Sequence, residues 1–137
     1  MKKLHIIYIA LLMLVMTGCT HNNGDIDHWF GMWKVESITV DGKTLDSYEG
    51  NFFFSFQTSI FSITKRVGEN GYQFYGEWKE TSENTIHLKM ANNDHVPSGI
   101  YLELEQDFHY TVSSGDKLTM EKTTGDGHVV AYHLKKW

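Results

Sequence analysis

The sequence has few residues that cross-link the chain, interrupt regular structure or bind polyanions. It contains one cysteine, Cys19, and one proline, Pro97, among 137 residues. Twelve basic residues stand against 17 acidic ones, which gives a net charge of −5. A single cysteine excludes a disulfide framework within the chain, and a negative charge with only isolated basic pairs argues against nucleic-acid binding. We therefore expect no nucleic-acid partner and a fold stabilised by its apolar core.

No apolar segment is long enough to cross a membrane as a helix. The longest stretch, residues 4–16, has 13 residues, whereas a spanning helix needs about 20. Two lysines precede this stretch, and the small residues Thr17 and Gly18 follow it. A positive start, a short apolar run and small residues at its end are typical of a secretory signal peptide. We predict that residues 1–18 are such a peptide.

The residues around the cysteine carry a second signal. The sequence MTGC, which ends at Cys19, resembles the lipobox of bacterial lipoproteins. The resemblance implies that the Cys19 sulfur receives a diacylglyceryl group, that cleavage follows Gly18, and that the new amino terminus is acylated. Two or more acyl chains hold a protein firmly at a bilayer. With Thr20 after the cysteine, the same resemblance implies sorting to the outer membrane of the bacterial envelope, on its periplasmic or its outer face.

Three segments follow from these signals. Residues 1–18 are the predicted signal peptide, residues 19–29 are the lipidated cysteine with a polar, flexible tether, and residues 30–137 are one folded domain. Removal of the two signal lysines leaves ten basic residues against 17 acidic ones, a net charge of about −7. The mature protein is thus expected to be tethered to the membrane without spanning it.

Apolar and polar residues alternate through most of the domain, which is typical of half-buried β-strands. Turn sequences such as Asp41-Gly42 separate the alternating runs. The predicted strands are residues 31–40, 51–57, 59–67, 72–80, 85–90, 108–113, 117–122 and 128–136. Residues 100–107 alternate like a strand but also allow one or two helical turns. The pattern predicts an all-β fold, an antiparallel up-and-down barrel of about eight strands whose closure removes exposed edges, with an open sandwich as the alternative.

The first strand carries a family resemblance. WFGMWKVESITVDGKT, residues 29–44, resembles the opening of lipocalin-like domains in lipoproteins of Bacteroides-type bacteria. The later sequences NFFFSFQ, YGEW, GDKLTMEK and AYHLKKW are similar to the same family. The resemblance implies a lipocalin-like barrel over about residues 30–137 that carries a ligand. Within it, Trp33 is expected to close one end of the barrel, and Gly31 to allow close approach of the chain.

Large apolar side chains share the strand faces that are expected to point inward. An eight-stranded barrel either fills with side chains or holds one small ligand, and the sequence leaves both open. A pocket with tyrosine or tryptophan tips at its mouth would be lined by Phe54, Phe56, Phe74, Trp78, Tyr110 and Tyr132.

No residue pattern indicates catalysis, a metal or a cofactor. Eight histidines are present, but none of His87, His109, His128 and His133 belongs to a His-x-His or His-x₃-His pair. No Gly-x-Ser-x-Gly elbow occurs. We expect no catalytic residues, no metal site and no cofactor.

Two classes of function remain. One is a membrane-anchored, non-catalytic lipoprotein that binds a small apolar or amphipathic ligand. The other is a protein-interaction module, such as an inhibitor or an accessory subunit of an envelope complex, with a side-chain-filled barrel. The second would act through the loops 41–50, with Tyr48 as an exposed aromatic anchor, and 91–99, because long loops often carry function.

Overall fold

The structure is a computed structural model that describes residues 29–137. The predicted signal peptide, Cys19 and the tether up to residue 28 lie outside the described residues. Among residues 29–137, no helix has the length and apolar character needed to span a membrane. The described strands are β1 Gly31–Val40, β2 Lys43–Thr44, β3 Phe52–Phe56, β4 Ile60–Val67, β5 Asn70–Ser82, β6 Thr85–Met90, β7 Glu105–Ser114, β8 Lys117–Thr123 and β9 Val129–Lys136; a 3₁₀ turn occupies Asn93–His95.

The strands form one antiparallel meander that closes on itself. β3 to β8 each pair with the next strand, β1 pairs with β3 at one edge, and β1 also pairs with β9 at the other. The two-residue β2 forms a small hairpin on the end of β1 and is not part of the closed ring. The result is a closed eight-stranded up-and-down barrel. This confirms the predicted fold class.

β1 makes the closure because it has two partners in the ring. Its first residues, Gly31 to Lys34, pair with β3, whereas Trp33 to Val40 pair with β9. The register with β9 shifts between Val35 and Ser37. Such a bulge bends a strand and increases its twist, which helps β1 to pass from one neighbour to the other.

The two ends of the barrel differ in their connections. At one end, here called the tight-turn end, short turns at residues 57–59, 83–84 and 115–116 join the strands, and the described chain begins there. At the other, the long-loop end, the connections include residues 41–51, which contain β2, and residues 91–104. Residues 91–104 are called the cap below.

The boundaries of the predicted strands agree with the structure to within three residues, and those of β1 and β6 coincide with it. The undecided segment 100–107 divides: residues 100–104 are irregular, and residues 105–107 begin β7. Gly99 has φ +84° and Tyr101 has φ +62°. These left-handed conformations interrupt an extended path, so the alternation of residues 100–104 does not produce a strand.

The core lies inside the barrel and receives side chains from all eight strands of the ring. Trp29, which the prediction placed in the tether, is fully buried and belongs to this core. Tyr72 and Val112 alternate in sequence with the predicted inward residues Phe74 and Tyr110, but both are exposed. Both lie near strand ends, where the strands extend beyond the packed interior.

Candidate functional site

The barrel interior is occupied by side chains. Of the six residues predicted to line a pocket, Phe54, Phe56 and Tyr132 are fully buried, and Trp78 and Tyr110 are less than a tenth exposed. Phe74 is half-buried and packs at the edge of the core. The structure thus brings the six residues to one core, but it distributes them between the two ends of the barrel.

Three of them surround Trp29 at the tight-turn end. The Trp29 ring centroid lies 4.7 Å from that of Phe56, 5.8 Å from that of Trp78 and 4.6 Å from that of Tyr110. The Trp29 Nε1–H donates to Glu80 Oε1 at 2.9 Å, and the Tyr110 hydroxyl donates to the same oxygen at 3.1 Å. These residues form a floor that closes this end, so the tips of Trp78 and Tyr110 do not stand at a mouth.

Gly31 and Trp33 support the same floor. The Trp33 side chain is buried, and its Nε1–H donates to the Trp29 carbonyl at 3.0 Å. Gly31 has φ +110°, a conformation that side-chain-bearing residues rarely adopt. A Cβ placed there would lie 3.6 Å from Lys136 Cε, an ordinary contact. Glycine is therefore required at position 31 by the backbone conformation, and the predicted close approach of the chain does not explain it.

The cap covers the long-loop end. Ile100 and Leu102 insert their side chains into the core. The Tyr132 hydroxyl donates to the Ile100 carbonyl at 2.5 Å, and burial raises the pKa of Tyr132 far above its ordinary value. The Tyr132 ring in turn contacts Phe54 and Phe108, with centroids 5.8 and 5.7 Å away. Tyr132 therefore links the cap to the rings in the middle of the barrel.

A buried lysine lies under the cap and was missed by the sequence analysis. Lys122 Nζ donates to Gln106 Oε1 at 2.7 Å and to Glu103 Oε2 at 3.2 Å, and only 1% of the Lys122 side chain is exposed. Gln106 Nε2 donates to the Glu103 carbonyl at 2.8 Å. Burial lowers the pKa of Lys122, and the Glu103 carboxylate opposes this shift. The alternation of Leu118, Met120 and Lys122 was the available signal for its inward direction.

The predicted interaction loops both lie at the long-loop end, but Tyr48 is not an exposed anchor. Its hydroxyl donates to the Val35 carbonyl at 2.5 Å and accepts from the Phe52 N–H at 3.2 Å. Its ring stacks on that of Phe52, and burial raises the pKa of Tyr48 to about 12. Tyr48 therefore fastens its loop to the barrel.

Two of the histidines pair with carboxylates on the surface: His128 Nδ1 lies 2.7 Å from Asp41 Oδ2, and His87 has two acidic partners. His87 Nδ1 lies 2.7 Å from Asp107 Oδ1, and His87 Nε2 lies 2.9 Å from Glu105 Oε1. The hydrogen bond that the His87 ring donates to Asp107, followed by the one it donates to Glu105, raises the pKa of His87. No group of three or more histidine, cysteine, aspartate or glutamate side chains within residues 29–137 is arranged to hold a metal ion.

Comparisons with known proteins identify the fold and the family. The lipocalin-like domain family matches residues 13–126. A lipocalin-like protein from Bacteroides uniformis has a crystal structure that matches with a TM-score of 0.62 at 16% identity, over 80% of this chain and 99% of that one. An uncharacterized protein from Bacteroides eggerthii matches with a TM-score of 0.59 at 18% identity, over the same shares of the two chains. No curated protein matches the chain. The family match covers most of the chain, and together with the closed eight-stranded barrel it shows that this chain belongs to the lipocalin-like domain family, as the sequence of its first strand predicted.

Proposed function

We propose that this protein is a membrane-anchored lipoprotein that binds a small amphipathic ligand in its barrel and catalyses no reaction. The lipocalin-like fold suggests a ligand-binding barrel. The observation that carries the proposal is the difference between the two ends: a ring cluster closes one, and an irregular loop closes the other.

The cap is the easier end to open. The floor combines the rings around Trp29 with two hydrogen bonds to Glu80. The cap is held by the inserted side chains of Ile100 and Leu102 and by Val96 at the edge of the core. Its hydrogen bonds are the one from Tyr132 to the Ile100 carbonyl, the contacts of Glu103, and backbone bonds at its two ends, from Ala91 to Tyr75 and from Met90 to Leu104. Segments with few buried contacts open locally at lower free energy than the core. Withdrawal of Ile100 and Leu102 would leave apolar space beside Tyr132 and the rings that it contacts.

Lys122 indicates the polarity of the ligand. If the cap withdraws, Glu103 leaves with it, and the ammonium group of Lys122 loses its carboxylate partner. A buried charge without a partner is strongly unfavourable. An anionic group on the entering molecule would replace Glu103, while its apolar part would replace Ile100 and Leu102. The ligand is therefore an amphiphile with a carboxylate or phosphate group at one end.

Binding of matched amphiphiles tests this proposal. The mature protein is titrated with a long-chain fatty acid and with the alcohol of the same length, and complexes are counted by native mass spectrometry. We expect the acid to bind at least about tenfold more tightly, since a hydrogen bond to a charged group contributes about 1.5–3 kcal/mol. Lys122→Met should remove this preference, whereas Lys79→Met, at an exposed position of β5, should retain it. Absence of binding by both molecules would contradict the proposal.

The anchor is tested separately. Intact-mass measurement of the protein from bacterial membranes should find acyl chains on Cys19, and Cys19→Ala should remove both the acyl mass and the membrane association. An unmodified mass in the membrane fraction would contradict anchoring without bearing on the ligand.

The filled interior supports a second candidate, a protein-interaction module. Every strand of the ring contributes to a continuous core, and the loops 41–50 and 91–99 lie together at one end. In that case the mature protein should bind no amphiphile, and the amides of residues 100–104 should exchange as slowly as those of the barrel strands. Rapid exchange in the cap alone would favour the ligand-binding function.

A further inference from the structure

Three lysines lie side by side on the outer surface of the barrel. Lys117 of β8 is paired with Lys135 of β9, and Lys135 is paired with Lys34 of β1. A buried core residue adjoins each of the three in the chain, and alternate residues of a strand point to opposite faces. All three side chains therefore point outward. Because neighbouring strands are about 4.8 Å apart, the row is about 10 Å wide.

This row is unusual in an acidic protein. Like charges directly opposite each other destabilise a sheet, and the chain has a net charge of −5. Asp116 lies near the row. A hydrogen bond from Ser114, with smaller contributions from Lys135 and Lys117, lowers the pKa of Asp116. Asp116 and Glu36, which is exposed two residues after Lys34 on β1, offset only part of the three positive charges, so the row favours an anionic partner.

Aromatic side chains extend the same surface. Phe53, the β3 partner of Lys34, carries the guanidinium group of Arg66 over its ring at 4.6 Å. The Trp137 ring contacts the Phe53 ring at 5.2 Å, and Lys34 Nζ lies 5.6 Å from the Trp137 centroid. Trp137 is nevertheless 68% exposed. Tryptophan beside lysine and arginine is typical of surfaces that lie in a membrane interface.

The surface also lies close to the point where the chain enters the barrel. Lys34 follows Trp29 by five residues, and the Trp137 N–H donates to the Met32 carbonyl at 3.0 Å. Cys19 precedes Trp29 by ten residues, and ten residues reach at most about 35 Å. A lipid on Cys19 would therefore keep the barrel within about 35 Å of the bilayer, and Lys34 and Trp137 lie toward the end of the barrel at which the described chain begins.

We propose that the basic face, formed by Lys34, Arg66, Lys117, Lys135 and Trp137, docks on the anionic headgroups of the membrane to which the chain is anchored. This inference rests on the membrane anchoring proposed above. Docking would orient the barrel, with the basic face on the bilayer.

The test uses the polypeptide 20–137, which contains every strand and the whole buried core but no acyl chain. Its partition is measured between buffer and vesicles of phosphatidylcholine, with or without phosphatidylglycerol. We expect binding only to the anionic vesicles and weakening by salt. Each basic residue contributes about fivefold near an anionic surface. The double substitution Lys117→Gln and Lys135→Gln should therefore reduce the partition coefficient about 25-fold.

The matched control is the double substitution Lys79→Gln and Lys89→Gln, which changes the net charge equally at exposed positions of β5 and β6. It should reduce partition by less than about threefold, the residual effect of net charge. Brominated lipids should quench fluorescence in the wild-type polypeptide but not in Trp137→Phe. Absence of binding, equal binding to neutral vesicles, or equal losses in the two double variants would overturn the docking proposal. Acyl mass on Cys19 is measured independently, so a failure of docking is distinguishable from a failure of anchoring.

Discussion

The most demanding prediction concerns Trp29, the residue that forms the floor. Trp29 is fully buried, contacts three rings and donates one hydrogen bond to Glu80. Substitution of a buried tryptophan by alanine removes about 3–5 kcal/mol of stability. Glu80 is exposed, so water replaces its lost donor and adds little further cost. We therefore expect Trp29→Ala to lower the free energy of unfolding by about 4 kcal/mol.

Urea unfolding followed by far-ultraviolet circular dichroism measures this loss without depending on tryptophan emission. For a domain of this size the expected change lowers Tm by about 15 °C or more. Trp29→Phe keeps an aromatic ring but loses the donor, and should cost about 1–2 kcal/mol. Trp137→Ala, at an exposed position, should cost less than about 1 kcal/mol. A loss below about 1 kcal/mol in Trp29→Ala would refute the role of Trp29 in the floor, because removal of a buried aromatic side chain costs about 3–5 kcal/mol of stability.

Three further outcomes are expected. Gly76→Ala should lower the free energy of unfolding by about 1–3 kcal/mol, since its Cβ would lie 2.5 Å from the Lys89 carbonyl oxygen. The matched control is Gly125→Ala, which has open space around the new Cβ. Equal urea midpoints for the two variants would contradict the clash at Gly76. Tyr48→Phe should cost about 1–2 kcal/mol in the same assay because it removes the bonds to Val35 and Phe52, and an unchanged midpoint would count against this fastening. Asp107→Asn should lower the pKa of His87, measured by NMR titration, because the Asp107 bond is the main cause that raises it. Because the pKa of His87 is raised in the folded protein, the protonated histidine stabilises the fold at pH values below its ordinary pKa of 6.5, and this stabilisation is lost as pH rises through the folded pKa. The difference in urea midpoint between wild type and Asp107→Asn should therefore become smaller at alkaline pH. A difference that does not change with pH would contradict this contribution of His87 to stability.

The strands could be predicted from the sequence because their alternation is strong and their turns are explicit. The closed barrel followed from the short connections, and the family followed from the residues around Gly31 and Trp33. The burial of Trp29 could not be predicted by the same route, because it precedes the first alternating run. The conformation of residues 100–104 was also beyond reach, since IYLELEQD alternates like a strand, and only the left-handed backbone at Gly99 and Tyr101 turns it into a cap.

The candidate sites depended on register, which a single sequence does not give. Lys122 lies at an inward position of a clearly alternating strand, so its direction was readable in principle. Its pairing with Glu103 and Gln106 depends on the path of the cap. The alignment of Lys34, Lys117 and Lys135 requires the pairing of β1, β8 and β9. β6 and β7 likewise had to be placed side by side before the contacts of His87 with Glu105 and Asp107 could be recognised.

The pairing of β1 with β9 also makes closure of the barrel a long-range step in folding. Trp33 is paired with Lys136 and Val40 with Val130, so the barrel is closed by contacts between the first strand to be synthesised and the last. Contacts between residues so far apart in sequence slow folding, because the intervening chain must be ordered first. Until β9 is available, β1 has only β3 as a partner in the ring, and its other edge is open to pairing with another chain. Truncation at the carboxyl terminus would therefore produce an aggregation-prone open sheet, since no smaller closed barrel can form from the remaining strands in this register.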